Sequence, residues 1–144
     1  MSHSGIFIRP AEDKDSSSVK SLARSLATSF SLDDESFKEI FDRLKEDEKA
    51  RILVSMDEHG GIDGYLLGVV HDTFFANGVV AWIEEMYVSE AARLNGVGLA
   101  LERHFEVWAR ARDAKLIALA TRRAASFYTA IGYEESAVYF RRFL

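Results

Sequence analysis

Two short stretches carry the residues that could do chemistry. The first is Arg93-Leu94-Asn95-Gly96-Val97-Gly98. Its two glycines let the backbone come close to a ligand. A helix starting there would point unpaired N–H groups at that ligand. A phosphate is what such a place binds best, and Arg93 adds a cation beside it. The second stretch is the carboxylate pair Glu84-Glu85, set inside an apolar run. A carboxylate there could bind an amine or take its proton. Adjacent strand residues point to opposite faces, so one of the two at most should face a given cleft.

The elements that must position these residues are readable. Val79, Val80, Trp82, Ile83, Met86, Tyr87 and Val88 form a β-branched and aromatic run, which predicts a strand over 79–88. Val97, Leu101, Phe105 and Trp108 are spaced for one apolar face, which predicts an amphipathic helix directly after the glycines.

Arg93-x-x-Gly96-x-Gly98 resembles the Arg/Gln-x-x-Gly-x-Gly/Ala signature of GNAT N-acetyltransferases, whose loop cradles the pyrophosphate of acetyl-coenzyme A. Ala124-Ala125-Ser126-Phe127-Tyr128-Thr129-Ala130-Ile131-Gly132-Tyr133 is similar to the A-x-x-x-Y-x-x-x-G-F/Y helix of the same family. The two signatures stand about thirty residues apart, in the family's order. The resemblance implies an α/β (α+β) acyl-CoA N-acyltransferase fold, a mixed sheet of about six to seven strands flanked by about four helices.

Moving an acetyl group from a thioester to an amine sets definite demands. A lysine-like amine is mostly protonated near neutral pH, its ordinary pKa being about 10.4. Something must take a proton, something must stabilise the negative carbonyl oxygen, and the departing thiolate benefits from an acid. The resemblance implies Glu84 for amine binding or proton removal, directly or through a water, in preference to Glu85. It implies Tyr128 as the acid at the coenzyme sulfur. Backbone groups of Met86, Tyr87 and Val88 would bind the pantetheine arm and polarise the thioester. Arg93 and the N–H groups of Leu94, Asn95, Gly96, Val97, Gly98 and Leu99 would hold the phosphates, with Thr121 and Phe127 as further coenzyme contacts. Three departures stand out: Asn95 is neutral where many relatives are basic, Thr121 replaces a frequent asparagine, and Glu90-Ala91-Ala92 lacks the usual proline.

The remaining composition narrows the class. At 144 residues, one domain over 1–144 with a single core is expected. An apolar fraction of 48% with one proline argues for a globular chain without linkers. The chain has no cysteine, which removes disulfides, thiolate metal sites and a cysteine nucleophile. No apolar run is long enough to span a bilayer, and a soluble, cytoplasmic protein is expected. His3, His59, His71 and His104 have no metal-ligand spacing, so no metal is expected. Net charge is −5, yet from Arg93 onward there are nine Lys/Arg against five Asp/Glu. A negative first part and a positive second part suit a cationic substrate and an anionic cosubstrate. Overall acidity argues against nucleic acid.

Along the chain, residues 5–9 before Pro10 predict a first strand, and residues 1–5 should fray. Val19, Leu22, Ala23, Leu26, Ala27 and Phe30 predict a helix capped by Asp15 or Ser16. Phe37, Ile40, Phe41 and Leu44 predict a second, opened by Asp33 or Asp34. Strands follow at 51–56 and 62–71, the latter interrupted by Gly64 and Gly68 as marks of a bulge or a close approach. Asn77-Gly78 predicts a hairpin into 79–88. A short parallel strand at 116–120, a helix at 122–131 ended by Gly132, and a last strand at 137–143 complete the reading.

The function expected is acetyl transfer from acetyl-CoA to a primary amine of a small molecule, of amino sugar, polyamine or amino acid type. A protein or peptide N-acetyltransferase and a non-catalytic acyl-CoA sensor are the alternatives. A homodimer is common in the family. A dinucleotide site is disfavoured because Leu101 stands where a third glycine belongs. No Gly-Lys-Ser/Thr follows the loop, which excludes a P-loop.

Overall fold

The structure, a computed structural model, describes residues 5–144. The expected fraying at the N-terminus therefore lies, Gly5 apart, outside the described residues. The strands are β1 (Phe7–Pro10), β2 (Ala50–Met56), β3 (Ile62–Thr73), β4 (Gly78–Val88) and β5 (Ile117–Leu119). The helices are α1 (Ser16–Leu26), α2 (Asp34–Glu46), α3 (Val97–Ala111) and α4 (Ala125–Ala130), with 3-10 turns at Asp13–Asp15 and Glu90–Ala92.

The sheet runs β1-β2-β3-β4-β5. Its first four strands are antiparallel neighbours, and β5 joins β4 in parallel because α3 carries the chain back across the sheet. One face of the sheet packs Leu66, Val70 and Ile83 under Leu101, Phe105 and Trp108 of α3. The other packs Val54 and Tyr65 under Val19, Ala23 and Phe41 of α1 and α2. Both faces are covered, so the interior strands are apolar on both sides.

Local chemistry sets the helix starts. Asp33 caps α2 by accepting from the Ser36 N–H at 2.9 Å. Before α1, the buried Asp15 carboxylate accepts from both terminal nitrogens of the Arg9 guanidinium, at 2.6 and 3.0 Å, and from the Glu12 N–H at 2.7 Å. This ties the end of β1 to the entrance of α1. Burial pushes the Asp15 carboxyl up, but the bonds from Arg9 and Glu12 outweigh it and hold it below its ordinary value.

Gly68 marks a close approach and stands opposite a bulge in β4. The register shifts between Leu67 and Gly68, and a Cβ at Gly68 would run into the Phe105 ring. Gly64 faces Ser55 Oγ, where a Cβ would lie at 2.8 Å.

The expected strand at 137–143 is not formed, which leaves five strands among the described residues instead of six to seven. A strand needs a ladder partner. The C-terminal segment instead ends on the loop between α1 and α2, where Phe143 meets the Phe30 ring edge-on at 5.6 Å and Arg141 Nη1 donates to Ser29 Oγ at 3.2 Å. The last helix begins at Ala125, three residues later than the spacing predicts, because Thr121 Oγ1 accepts the Ala124 N–H at 3.0 Å in a turn ahead of it.

Candidate active site

The β4–β5 ladder is short. β4 pairs with β5 at Ala81, Trp82 and Ile83 only, the last pair being Ile83 with Leu119. β4 itself continues to Val88. Backbone groups of 84–88 on the β5 side therefore have no strand partner among the described residues. The half-buried Met86, Tyr87 and Val88 lie on this unpaired stretch.

β4 also bulges there against β3. Leu67 pairs with Glu85 and Gly68 with Ile83, so Glu84 is the extra residue. A bulge breaks the simple alternation of faces assumed for Glu84 and Glu85. Glu84 is exposed as a residue, while its carboxyl is partly desolvated. That desolvation and the neighbouring Glu85 charge raise its pKa above the ordinary value, with His71 opposing. Glu85 is half-buried and accepts from the Tyr65 hydroxyl at 2.7 Å. It lines a cavity of about 550 Å³ between the sheet and α1 and α2. Burial first, and then Glu85, keep the Tyr65 phenol protonated well above its ordinary range.

The glycine-rich turn lies between β4 and α3. Leu94 and Gly96 both adopt left-handed backbone, with φ of 67° and 87°. Such residues alternating with right-handed or extended ones curl successive N–H groups into a concave, anion-sized array. Leu94 gains nothing visible from this conformation, since its side chain is fully exposed. Asn95 and Leu99 are exposed as well, whereas Val97 is buried under the sheet. Gly96 is the N-cap of α3, and the α3 dipole adds positive potential at the turn. Arg93 folds back toward β4: its Nε donates to the Val88 carbonyl at 2.9 Å, and its guanidinium stacks 5.1 Å from the Tyr87 ring.

The tyrosine helix packs against this turn. A Cβ at Gly98 would lie 3.2 Å from Phe127 Cζ, so the glycine lets α4 come in. Tyr128 is buried between Phe127 and Tyr133, with ring centroids 5.0 and 5.6 Å away. Gly132, at φ 110°, ends α4. The Tyr133 N–H donates to the Tyr128 carbonyl at 2.9 Å and the Gly132 N–H to that of Thr129 at 3.2 Å, which is a Schellman cap. The Tyr133 hydroxyl then donates to Glu102 Oε2 on α3 at 2.6 Å. Burial, helped by the Glu102 charge, pushes the Tyr128 phenol up to about 12.

Two groups here escape the motif reading. Tyr65 sits in a strand whose alternation marks it only as core. Glu102 was legible in principle, because it stands on the apolar stripe of α3 beside Leu101 and Phe105, and a carboxylate there needs a partner. Among the described residues, no cluster of His, Cys, Asp and Glu could hold a metal ion.

A β4 strand without a β5 partner beyond Ile83, a glycine-rich helix start after it and a tyrosine helix packed on the same turn are the parts expected of an acyl-transfer domain of the coenzyme-A-dependent class. The chain belongs to the acetyltransferase (GNAT) family, whose sequence profile matches residues 19–133. That family makes it an acetyl-CoA-dependent N-acetyltransferase. Among solved structures it is similar to an acetyltransferase of Trypanosoma brucei, at 22% identity and TM-score 0.82, over 96% of this chain and 99% of that one. A glucosamine-6-phosphate N-acetyltransferase from Arabidopsis thaliana matches at 20% identity and TM-score 0.82, over 96% and 97%. An aminoglycoside antibiotic 6'-N-acetyltransferase from Acinetobacter baumannii matches at 20% and 0.79, over 97% and 99%. At such identities these likenesses bear on the fold alone. No curated protein matches the chain by sequence.

Proposed function

We propose that the chain, as one domain over residues 1–144, moves the acetyl group of acetyl-CoA directly to the primary amine of a small molecule. The observation that carries this reading is the coincidence at Glu84 of three features: the last β4–β5 pair, the β4 bulge and a carboxyl with raised pKa. An acyl-pantetheine arm lying along 86–88 would bring its thioester to that spot. The diphosphate would rest on the N–H groups of residues 94–99, with the free nitrogens of Arg93 beside it and Thr121 and Phe127 at its flank.

The step balances simply. The ammonium first loses one proton to water; the neutral nitrogen then forms a bond to the acetyl carbon while its next proton passes to Glu84, directly or through water. Negative charge builds on the carbonyl oxygen and meets β4 N–H groups. The C–S bond then breaks, and the thiolate takes the Tyr128 proton. A raised carboxyl pKa makes Glu84 a better base, and a phenol protonated to about 12 keeps its proton until the sulfur needs it.

Thiol release from acetyl-CoA, followed with a panel of small amines and with peptides, tests this. Turnover on a small amine is expected, and Glu84→Gln should lower it most at low pH. Coenzyme binding with no turnover on any acceptor would favour the sensor reading, and turnover on peptides alone would favour a protein acetyltransferase.

A homodimer is the assembly we favour. Residues 138–144 expose Val138, Tyr139, Phe140 and Leu144, and among the described residues β5 has only β4 beside it. A second copy can supply the missing ladder. A cytoplasmic location is in keeping with the cysteine-free chain.

A further inference from the structure

We infer that the acceptor is a primary amine carried on an apolar body, an arylalkyl or alkyl amine, seated in the cavity between the sheet and α1 and α2. This rests on the acetyl-transfer reading and narrows it. The cavity holds about 550 Å³, a usual size for a small-molecule site. Its walls are Ala23 and Leu26 of α1, Phe37 and Phe41 of α2, and Ile52 and Leu67 of the sheet. On the sheet side the polar groups are Glu85 and the Tyr65 hydroxyl that donates to it at 2.7 Å. The others, Ser31, Asp33 and Ser36, sit at the loop and the start of α2 and are exposed.

That distribution selects a ligand with one cationic end. Tyr65 occupies Glu85 Oε1, and Oε2 is left to meet an ammonium. Glu84 does not line this cavity, but its carboxyl feels the Glu85 charge, so an amine held at Glu85 lies within electrostatic reach of the proposed base. Beyond the ammonium, the walls reward methylenes and rings. The ring hydroxyls of an amino sugar, or the further ammoniums of a polyamine, would lose water against leucine and phenylalanine with no partner to replace it. A polar pocket discriminates sharply for hydroxyls, and an apolar one discriminates by chain length.

The test is a kinetic series on the wild-type enzyme. With saturating acetyl-CoA, kcat/KM is measured for propyl-, butyl-, pentyl- and hexylamine, 2-phenylethylamine, glucosamine and spermidine. The account predicts a rise of roughly threefold to fourfold per added methylene. It also predicts that 2-phenylethylamine exceeds glucosamine and spermidine by at least tenfold. Glu85→Gln, which keeps the size and an acceptor for Tyr65, should lower kcat/KM for these amines at least tenfold. The same variant should leave inhibition by hexanol and the Kd of acetyl-CoA within twofold. A flat chain-length series, or glucosamine or spermidine as the better acceptor, would overturn the inference while leaving acetyl transfer intact. Failure of acetyl-CoA to bind by calorimetry would overturn both.

Discussion

The Tyr133 hydroxyl donates to Glu102 at 2.6 Å, across the seam where the end of α4 meets the middle of α3. Glu102 is 1% exposed, and its other oxygen accepts from Arg103 at 3.0 Å. Because the Schellman cap fastens Tyr133 to the Tyr128 carbonyl, this bond holds the tyrosine helix against the glycine turn. Tyr133→Phe should lower unfolding stability by about 1–3 kcal/mol, since a buried carboxylate oxygen loses its donor. Denaturant unfolding measures this, and an unchanged midpoint would show that the seam does not depend on the bond.

The Glu102 charge also contributes to the raised Tyr128 phenol. Tyr128→Phe is expected to lower kcat on the order of a hundredfold while the Kd of acetyl-CoA stays constant. With the phenol protonated up to about 12, wild-type activity should show no alkaline loss from this group below pH 10. Unaltered kcat in the variant would remove Tyr128 from the acid role.

Gly68 has its own test. A methyl there meets the Phe105 ring, which is fully buried. Gly68→Ala should cost about 1–3 kcal/mol through overpacking. Adding Phe105→Leu should recover part of that loss, and the double-mutant cycle reads the coupling. Strict additivity would mean that the two residues do not compete for the same space.

Stability should also depend on acid through Asp15. Its folded pKa lies below the ordinary value, so its contribution is complete above about pH 4. That contribution is lost as pH falls through the depressed folded value. Asp15→Asn should therefore destabilise the protein at neutral pH, and its cost should shrink steadily below pH 4. Urea midpoints for both proteins from pH 2 to 7 measure the difference. A cost independent of pH would assign the loss to packing and not to the Arg9 pair.

Much of the fold was readable from particular residues. Asp33 follows the cap rule, α3 shows its buried face in Val97, Leu101, Phe105 and Trp108, and a helix between 88 and 117 forces β4 and β5 to be parallel. Gly68 announced a bulge or a close approach: it makes the close approach to Phe105, and the bulge forms opposite it in β4. The sequence reading allowed at most one of the pair Glu84 and Glu85 at the cleft and favoured Glu84 there, whereas it is Glu85 that lines the cavity, because a bulge cancels the period of two on which that inference depends. The tail misled for a different reason: residues 137–143 alternate like a strand, but pairing depends on a neighbouring edge, which no local pattern encodes. Tyr65 and Glu85 come together from strands twenty residues apart, a distance that motif spacing does not capture.

The most direct measurement is a crystal structure of the protein bound to acetyl-CoA. The diphosphate should accept hydrogen bonds from main-chain N–H groups between residues 94 and 99, and the pantetheine should run beside residues 86–88 where β4 leaves β5. A coenzyme bound at any other surface, with that gap closed, would contradict the account.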